Sequence, residues 1–377
     1  MYFVFIAVSL LAVVPRFLRE GTNIVTETYR LGTLRFFHHM NPYVLPLVGG
    51  DRYEYSPFYC LFYSPFAWLP LKAQALAWAL FNAAIFWLGI DRWFKLKARN
   101  PWWQWVVLLL CSMELNISLL YQQSNAMLIG LCLLGLADYR DEKWVLSGII
   151  LALAAVLKIY PAIFILLLLF PIRPRFIGAA VMTGVVAVLL PAIFIGIKSD
   201  VALHAQWLER LFEATNYQRE DLDIRSVLAR FGFSGLGRWV QMTIGILSLT
   251  AGFFYQRFRP DPKGMAPWIT LGITALLLIN PRSESPTFVF LAPAYLFLAP
   301  MIFGLVREKA KWTLAILLFG AGFLITWVFT DAWPKRLWDP GQVRYATKTM
   351  GALVLWFISF GWLLREWFIK SCRPSPF

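Results

Sequence analysis

Charge is scarce in this sequence. Of 377 residues, 15% are charged and 59% are hydrophobic, and mean hydropathy is +0.61. A soluble domain carries about 25% charged residues. A chain of this size with so little charge cannot cover a water-facing surface, so it reads as a polytopic membrane protein. Cysteine is sparse as well. Cys60, Cys111, Cys132 and Cys372 show no paired spacing, which removes a disulfide framework and a zinc site and leaves small packing residues. The three histidines, His38, His39 and His204, form no triad pattern. The adjoining pair His38–His39 has no further ligand at metal spacing and reads as a surface or interface pair. No P-loop, dinucleotide glycine pattern or nucleophile elbow occurs, so nucleotide chemistry and serine-type catalysis have no support. No repeat of 20–50 residues and no low-complexity tract appears. The first apolar run lacks a basic leader and a small-residue cleavage site, so it reads as a retained, short helix.

What is abundant fits the membrane reading. Eighteen Trp suit two interfacial belts. The formal net charge of +14 fits basic loops against anionic headgroups. No motif supports a nucleic-acid partner. Apolar runs fall at 2–15, 73–90, 102–120, 124–138, 144–157, 161–172, 176–197, 239–255, 266–280, 287–305, 312–329 and 347–364. Several are shorter than the roughly 20 residues of a full span, as expected of helices lining a protein-walled cavity. Short basic loops at 91–100, 139–143, 171–175, 256–264 and 307–311, with a basic tail, mark the cytoplasmic side. The other side then holds 16–56, 121–125, 157–161, 198–236, 280–286 and 330–346. The proline-rich stretch 57–71 reads as a re-entrant or interfacial segment, not a span. The expected architecture is all-α, one membrane domain over 1–377, with about twelve spans (eleven to thirteen) and both termini cytoplasmic. The two long outer loops, 16–56 and 198–236, would carry short amphipathic helices, one of them within 203–220.

The polar residues that interrupt apolar segments all fall on the non-cytoplasmic side of this topology. They are Glu27 and Arg30; Asp51, Tyr53, Glu54 and Tyr55; Glu114 and Asn116, leading into Gln122, Gln123 and Asn125; Lys158 and Tyr160; Arg225 and Arg230; Arg282 and Glu284. Ionisable groups at membrane depth are costly and face a cavity or a partner. Their one-sidedness points to one outward-facing polar cavity. Blander readings stand beside this one. Lys158 also suits a snorkelling interface lysine, Arg282 and Glu284 a local pair, and Glu114 inter-helix glue through Asn116 and Ser118. In extended backbone Tyr53, Tyr55 and Asp51 share one side and Glu54 faces the other. Carboxylates and cations opening to one face suit transfer from an anionic, membrane-bound donor. The carboxylate takes a proton and Arg or Lys stabilises a departing phosphate.

At this point the motifs resemble a known family. The run N-P-Y (41–43) followed by DRYEYSPF (51–58) and SPFAWLP (64–70) resembles the first-loop signature of glycosyltransferase family 87, within the glycosyltransferase-C superfamily. QQSNAMLIGLCLLGL (122–136) is similar to that family's Gln-x-Asn helix start. SGIILALAAVLKIYPAIFILLLLF (147–170) resembles its small-residue helix ending in Lys-x-x-Pro, and NPRSESPTF (280–288) a later loop motif of one branch. The resemblance implies a glycosyltransferase-C-like membrane enzyme using a polyprenyl-phosphate-linked sugar, typically mannose, outside the cytoplasm and with inversion. The acceptor would be a lipid, glycan or protein.

It further implies that the general base is an acid of the first outer loop. Many members carry Asp just after the first helix, where this chain has Asn23. Glu27, nearest that place, is then the first candidate, followed by Asp51 and Glu54. Arg282, Lys158, Arg225 and Arg230 are candidates for the donor phosphate. Tyr53, Tyr55, Gln122, Gln123, Asn125 and Glu284 are candidates for the sugar and acceptor. No cofactor is called for, and a divalent cation stays open as an alternative. The expected site is a bacterial inner or plasma membrane, with chemistry on the periplasmic or extracellular face. The competing readings are a transporter or lipid flippase, which would place polar groups nearer the midplane, and a non-catalytic relative.

Overall fold

A computed structural model describes residues 2–20, 23–44, 52–95, 102–169, 172–214, 222–258, 266–280, 283–326 and 343–371. They form helices joined by turns, with no strand among the described residues. Six described helices are long and apolar enough to cross a bilayer: Leu71–Phe94, Trp102–Leu120, Pro174–Ile195, Ser285–Gly304, Glu308–Thr326 and Ala346–Glu366. Two shorter apolar helices, Trp144–Leu157 and Pro267–Ile279, accompany them. The chain is an integral membrane protein built of helices.

Chain contacts divide the molecule into two compact units. The first comprises Met1–Leu96, Leu115–Leu166 and Arg173–Tyr217. It opens with α1 (Tyr2–Glu20) and α2 (Ile24–Phe37). The sequence reading gives 16–56 short helices without placing them, and α2 lies in the middle of it. Its segment, IVTETYRLGTLRFF, lacks an apolar stripe, so periodicity does not reveal it. It is defined by its start. Asn23 Oδ1 accepts from the amides of Val25 and Thr26 at 3.0 and 3.2 Å, satisfying two of the four donors a helix leaves open. The helix buries Thr26, Thr28, Tyr29, Gly32, Thr33 and Phe36.

The stretch 57–71 becomes α3 (Pro57–Ala67), a helix of 11 residues. Pro57 fits its first turn, where no donor is needed. At 1.5 Å per residue it reaches about 16 Å, roughly half a bilayer core. Next comes α4 (Leu71–Phe94). After α5 (Trp102–Leu120) the chain turns into α6 (Asn125–Arg140) and α7 (Trp144–Leu157), of 16 and 14 residues. Gly89 of α4 and Gly130 of α6 meet so closely that a Cβ on either would strike the other helix's backbone. That contact is the small-residue seam expected between membrane helices. Among the described residues of the run 161–172, Ala162–Leu167 form the short α8. The run 176–197 is α9 (Pro174–Leu189) and α10 (Ala192–Ile195), separated at Pro191. Next is α11 (Ile197–Ala214), the amphipathic helix expected within 203–220, starting earlier.

The second unit comprises Lys97–Glu114, Leu167–Ile172 and Gln218–Phe377. It holds α12 (Ile224–Arg230), α13 (Ser234–Phe258) and α14 (Ala266–Ile279). A 3-10 turn over Ser285–Leu291 leads into α15 (Ala292–Leu305), followed by α16 (Glu308–Thr326) and α17 (Val343–Ser371). Gly351 of α17 lies against Ile325 and the Ala321 carbonyl of α16, with no room for a larger side chain.

Candidate functional site

The first unit gathers several of the expected residues around the start of α2. The turn between α5 and α6 carries Gln122 at φ 53°, a left-handed conformation uncommon for glutamine. Strain of this kind persists only where neighbours fix it, and it collects at functional sites. Here three contacts fix it. Gln122 Oε1 accepts from the Asn23 amide at 3.1 Å and from the Thr26 hydroxyl. The Gln122 carbonyl accepts from Trp78 Nε1 at 3.0 Å. The same α2 turn therefore carries Glu27 next to Thr26, and Glu27 is half-buried. A carboxylate in a first helical turn also meets the favourable end of the helix dipole.

The turn continues into Lys158. Asn125, fully buried, donates from Nδ2 to Gln123 Oε1 at 2.6 Å and accepts from Lys158 Nζ at 3.1 Å. Lys158 follows α7, whose extension is limited by Pro161 three residues on. Its ammonium lies 5.5 Å from the ring centre of Tyr55 and 4.8 Å from that of Tyr160, within cation–π range. Tyr55 closes the circuit, because its hydroxyl is 2.7 Å from the hydroxyl of Tyr29 on α2. Burial first, then the neighbouring Tyr29 phenol, hold the Tyr55 hydroxyl well above the usual phenol range. It stays a neutral hydrogen-bonding group beside the lysine.

Around this circuit stands a wall of aromatic rings. Tyr29 meets Tyr55, Tyr59, Tyr63 and Trp78 edge-on at 4.9 to 6.1 Å. Gln74, also fully buried, donates to the Tyr63 hydroxyl at 2.7 Å. Tyr53 lies deeper. It is 1% exposed, sits against Gly32, and its hydroxyl is 3.1 Å from Cys60 Sγ. The Tyr53 and Tyr55 rings are 5.9 Å apart, as their alternation predicts, but Tyr53 is part of the packed interior.

The described residues between α2 and α3 are tied down by α11. Asn41 Nδ2 donates to Gln206 Oε1 at 2.6 Å, and Trp207 Nε1 donates to the Glu54 carbonyl at 3.1 Å. Arg52 approaches Glu213 at 3.7 Å. Glu54 is thus held by its backbone, with a half-buried side chain. On the same helix Asp200, 1% exposed, lies 3.1 Å from His204 Nδ1. Asp51 lies outside the described residues, and so does Arg282.

The second unit carries Arg225, exposed, with Arg230 and Glu284, both half-buried. Arg225 follows the N-cap of α12, where Asp223 accepts from the Ser226 amide at 2.6 Å. Glu114 is fully buried and its partner is Lys348, whose ammonium is 3.4 Å from both carboxylate oxygens. The glue expected through Asn116 and Ser118 is not seen, since Asn116 Oδ1 and Ser118 Oγ are buried without a hydrogen-bond partner among the described residues; Glu114 is held by the ion pair to α17 instead. Among the described residues no three His, Cys, Asp or Glu side chains cluster as metal ligands would.

Sequence reasoning passed over Thr26, Tyr29 and Trp78, which hold the Gln122 turn and Tyr55. Thr26 and Tyr29 flank Glu27, and an N-cap signal at Asn23 was the available clue to the helix that aligns them. It also passed over Lys348, a lone basic residue at the head of an apolar run.

A family model for glycosyltransferase family 87 matches residues 53–281. No curated protein and no solved structure matches the chain. The matched stretch contains Tyr55, the Gln122–Asn125 turn and Lys158, while Glu27 precedes it. With well over half its length matched, the chain belongs to glycosyltransferase family 87, a family of membrane glycosyltransferases.

Proposed function

We propose that the protein transfers a hexose, typically mannose, from a polyprenyl-phosphate donor to a lipid, glycan or protein acceptor on the non-cytoplasmic face of the membrane. The observation that carries this reading is the closed circuit from α2 through Gln122, Asn125, Lys158 and Tyr55 back to Tyr29. It fixes one cation beside hydroxyl and amide groups, with a carboxylate, Glu27, on the same helical turn. Family membership supports the reaction class.

In this mechanism Glu27 takes the proton of the acceptor hydroxyl. The hydroxyl oxygen attacks the anomeric carbon from the face opposite the phosphate. The bond from that carbon to the phosphate oxygen breaks, and its electron pair leaves on the polyprenyl phosphate. The sugar carbon is inverted. Lys158, held by Asn125, meets the growing negative charge, with Arg225, Arg230 and Arg282 as further candidates. Gln122, Gln123 and Glu284 are candidates for sugar hydroxyls. Asp51 and Glu54 are the reserve bases. About twelve spans, with both termini cytoplasmic, complete the proposal, and the one-sided distribution of polar motifs supports that topology.

The test uses purified full-length protein in vesicles with polyprenyl-phosphate mannose and then other polyprenyl-phosphate hexoses. Sugar transfer to the acceptor fraction is expected. Absence of transfer from every such donor overturns the proposal.

A further inference from the structure

Glu114 and Lys348 sit within α5 and α17, two helices of membrane-spanning length and composition. They are 0% and 5% exposed. The lysine ammonium also lies 5.4 Å from the ring centre of Phe288. A buried ion pair is poor value as a source of stability, because an apolar pair of similar volume serves as well. At membrane depth such pairs mark function.

The residue after Lys348 shows what the pair controls. The Thr349 hydroxyl donates to the Leu222 carbonyl at 2.5 Å. The Leu222 amide donates to the Ser283 carbonyl at 2.7 Å, and the Ser283 hydroxyl to the Leu277 carbonyl at 2.8 Å. Gln241 Nε2 bridges Asp223 Oδ2 and the Ile279 carbonyl at 3.4 and 3.3 Å. Two separate segments, 222–226 and 283–288, are thereby hung on the first turns of α17. The first carries Arg225 and the second carries Glu284. Meanwhile α5 holds the start of α15, just beyond the second segment, since Cys111 Sγ donates to the Ala292 carbonyl at 3.0 Å.

We propose that Glu114 and Lys348 are positioning residues. Their pairing ties the head of α17 to α5 and so holds α17 in one register, and Thr349 passes that register to the segments carrying Arg225 and Glu284. A slip of one residue moves Thr349 by about 1.5 Å and turns it by about 100°, which parts it from Leu222. Misplacement by about 1 Å costs on the order of a hundredfold in a transfer reaction. The assignment of Arg225 and Glu284 to donor and sugar rests on the glycosyltransferase reading; the register itself does not.

The test uses the full chain in vesicles, with Cys372 replaced, the buried Cys60, Cys111 and Cys132 kept, and Leu222→Cys added; labelling of the same chain without Leu222→Cys is subtracted. That exchange keeps the backbone groups that make the contacts. Labelling by a membrane-impermeant maleimide reports whether the 222–226 segment is seated. Glu114→Gln and Lys348→Met are expected to speed labelling about tenfold or more, because each strands one buried charge. The exchanged pair, Glu114→Lys with Lys348→Glu, and the conservative Lys348→Arg are expected to label within about threefold of the parent. In transfer assays without the reporter cysteine, the two single variants should raise the donor KM more than they lower kcat, and the exchanged pair should reverse this. Unchanged labelling in both single variants overturns the proposal. So does fast labelling in a folded exchanged pair, which covers the case in which the single variants fail to fold. Labelling that behaves as expected in a protein that transfers no sugar upholds the register and overturns the enzyme reading alone.

Discussion

The ammonium of Lys158 donates to Asn125 Oδ1 at 3.1 Å while facing the Tyr55 ring at 5.5 Å. A lysine held on two sides is pre-organised, so its charge needs no rearrangement when a leaving group develops negative charge. Lys158→Ala is expected to lower kcat by about 10²–10³, the scale of losing one such donor. Asn125→Ala, which frees the lysine without removing it, should cost less than Lys158→Ala. Steady-state kinetics with the polyprenyl-phosphate donor checks both. Equal losses in the two variants would assign the anchoring role to Asn125 itself.

Glu27→Gln is expected to reduce transfer by about 10²–10⁴, the range for a removed general base. The thermal midpoint in detergent should stay close to that of the parent, since the side chain is only half-buried. Retained activity in a folded variant moves the role of base to Asp51 or Glu54.

Helix contact makes a prediction independent of chemistry. A methyl group on Gly130 would meet the Ile85 carbonyl and the Phe86 backbone, whereas one on Gly178 of α9 meets nothing within 4 Å. Gly130→Ala should therefore destabilise by about 1–3 kcal/mol through overpacking. Gly178→Ala should be neutral or stabilise by about 0.4–1 kcal/mol. Thermal unfolding of the two variants in one detergent compares them directly.

Asp223 predicts a pH effect. Burial raises its carboxyl above the ordinary 3.8, and the Ser226 amide and hydroxyl offset part of that rise. The folded chain then binds this proton more tightly than the unfolded chain does. Its contribution to stability is fullest below about pH 3.8 and is lost as pH rises through the folded value. Asparagine keeps the capping acceptor and does not titrate. Asp223→Asn should flatten this decline and show a thermal midpoint at pH 7 equal to or above that of the parent. A lower midpoint at pH 7 would show that the ionised carboxylate is required there.

What the sequence made legible was whatever interrupts an apolar background. Gln123, Asn125 and Lys158 stand out because they are polar residues between greasy runs, and the structure joins them by hydrogen bonds. The helix α2 was illegible for the opposite reason. Its background is already polar, so neither its helicity nor the alignment of Thr26 with Tyr29 shows in the pattern. The Glu114–Lys348 pair was hidden by distance, the two residues being 234 positions apart. Tyr53 was misleading in another way. Alternation correctly sets it beside Tyr55, but alternation carries no depth, and only packing against Gly32 places Tyr53 in the interior.

Asn23 has an evolutionary consequence. Its side chain caps α2 through two backbone amides, and aspartate caps a helix about as well as asparagine. Where related chains resembling this one carry an acid, an exchange to asparagine leaves the fold intact and removes only the acid. Folding stability demands a capping side chain at that position but does not distinguish the amide from the acid. A lineage can cross from the acid to the amide there without losing its fold, and it keeps its enzyme only if another carboxylate (Glu27, Asp51 or Glu54 in this chain) takes the proton.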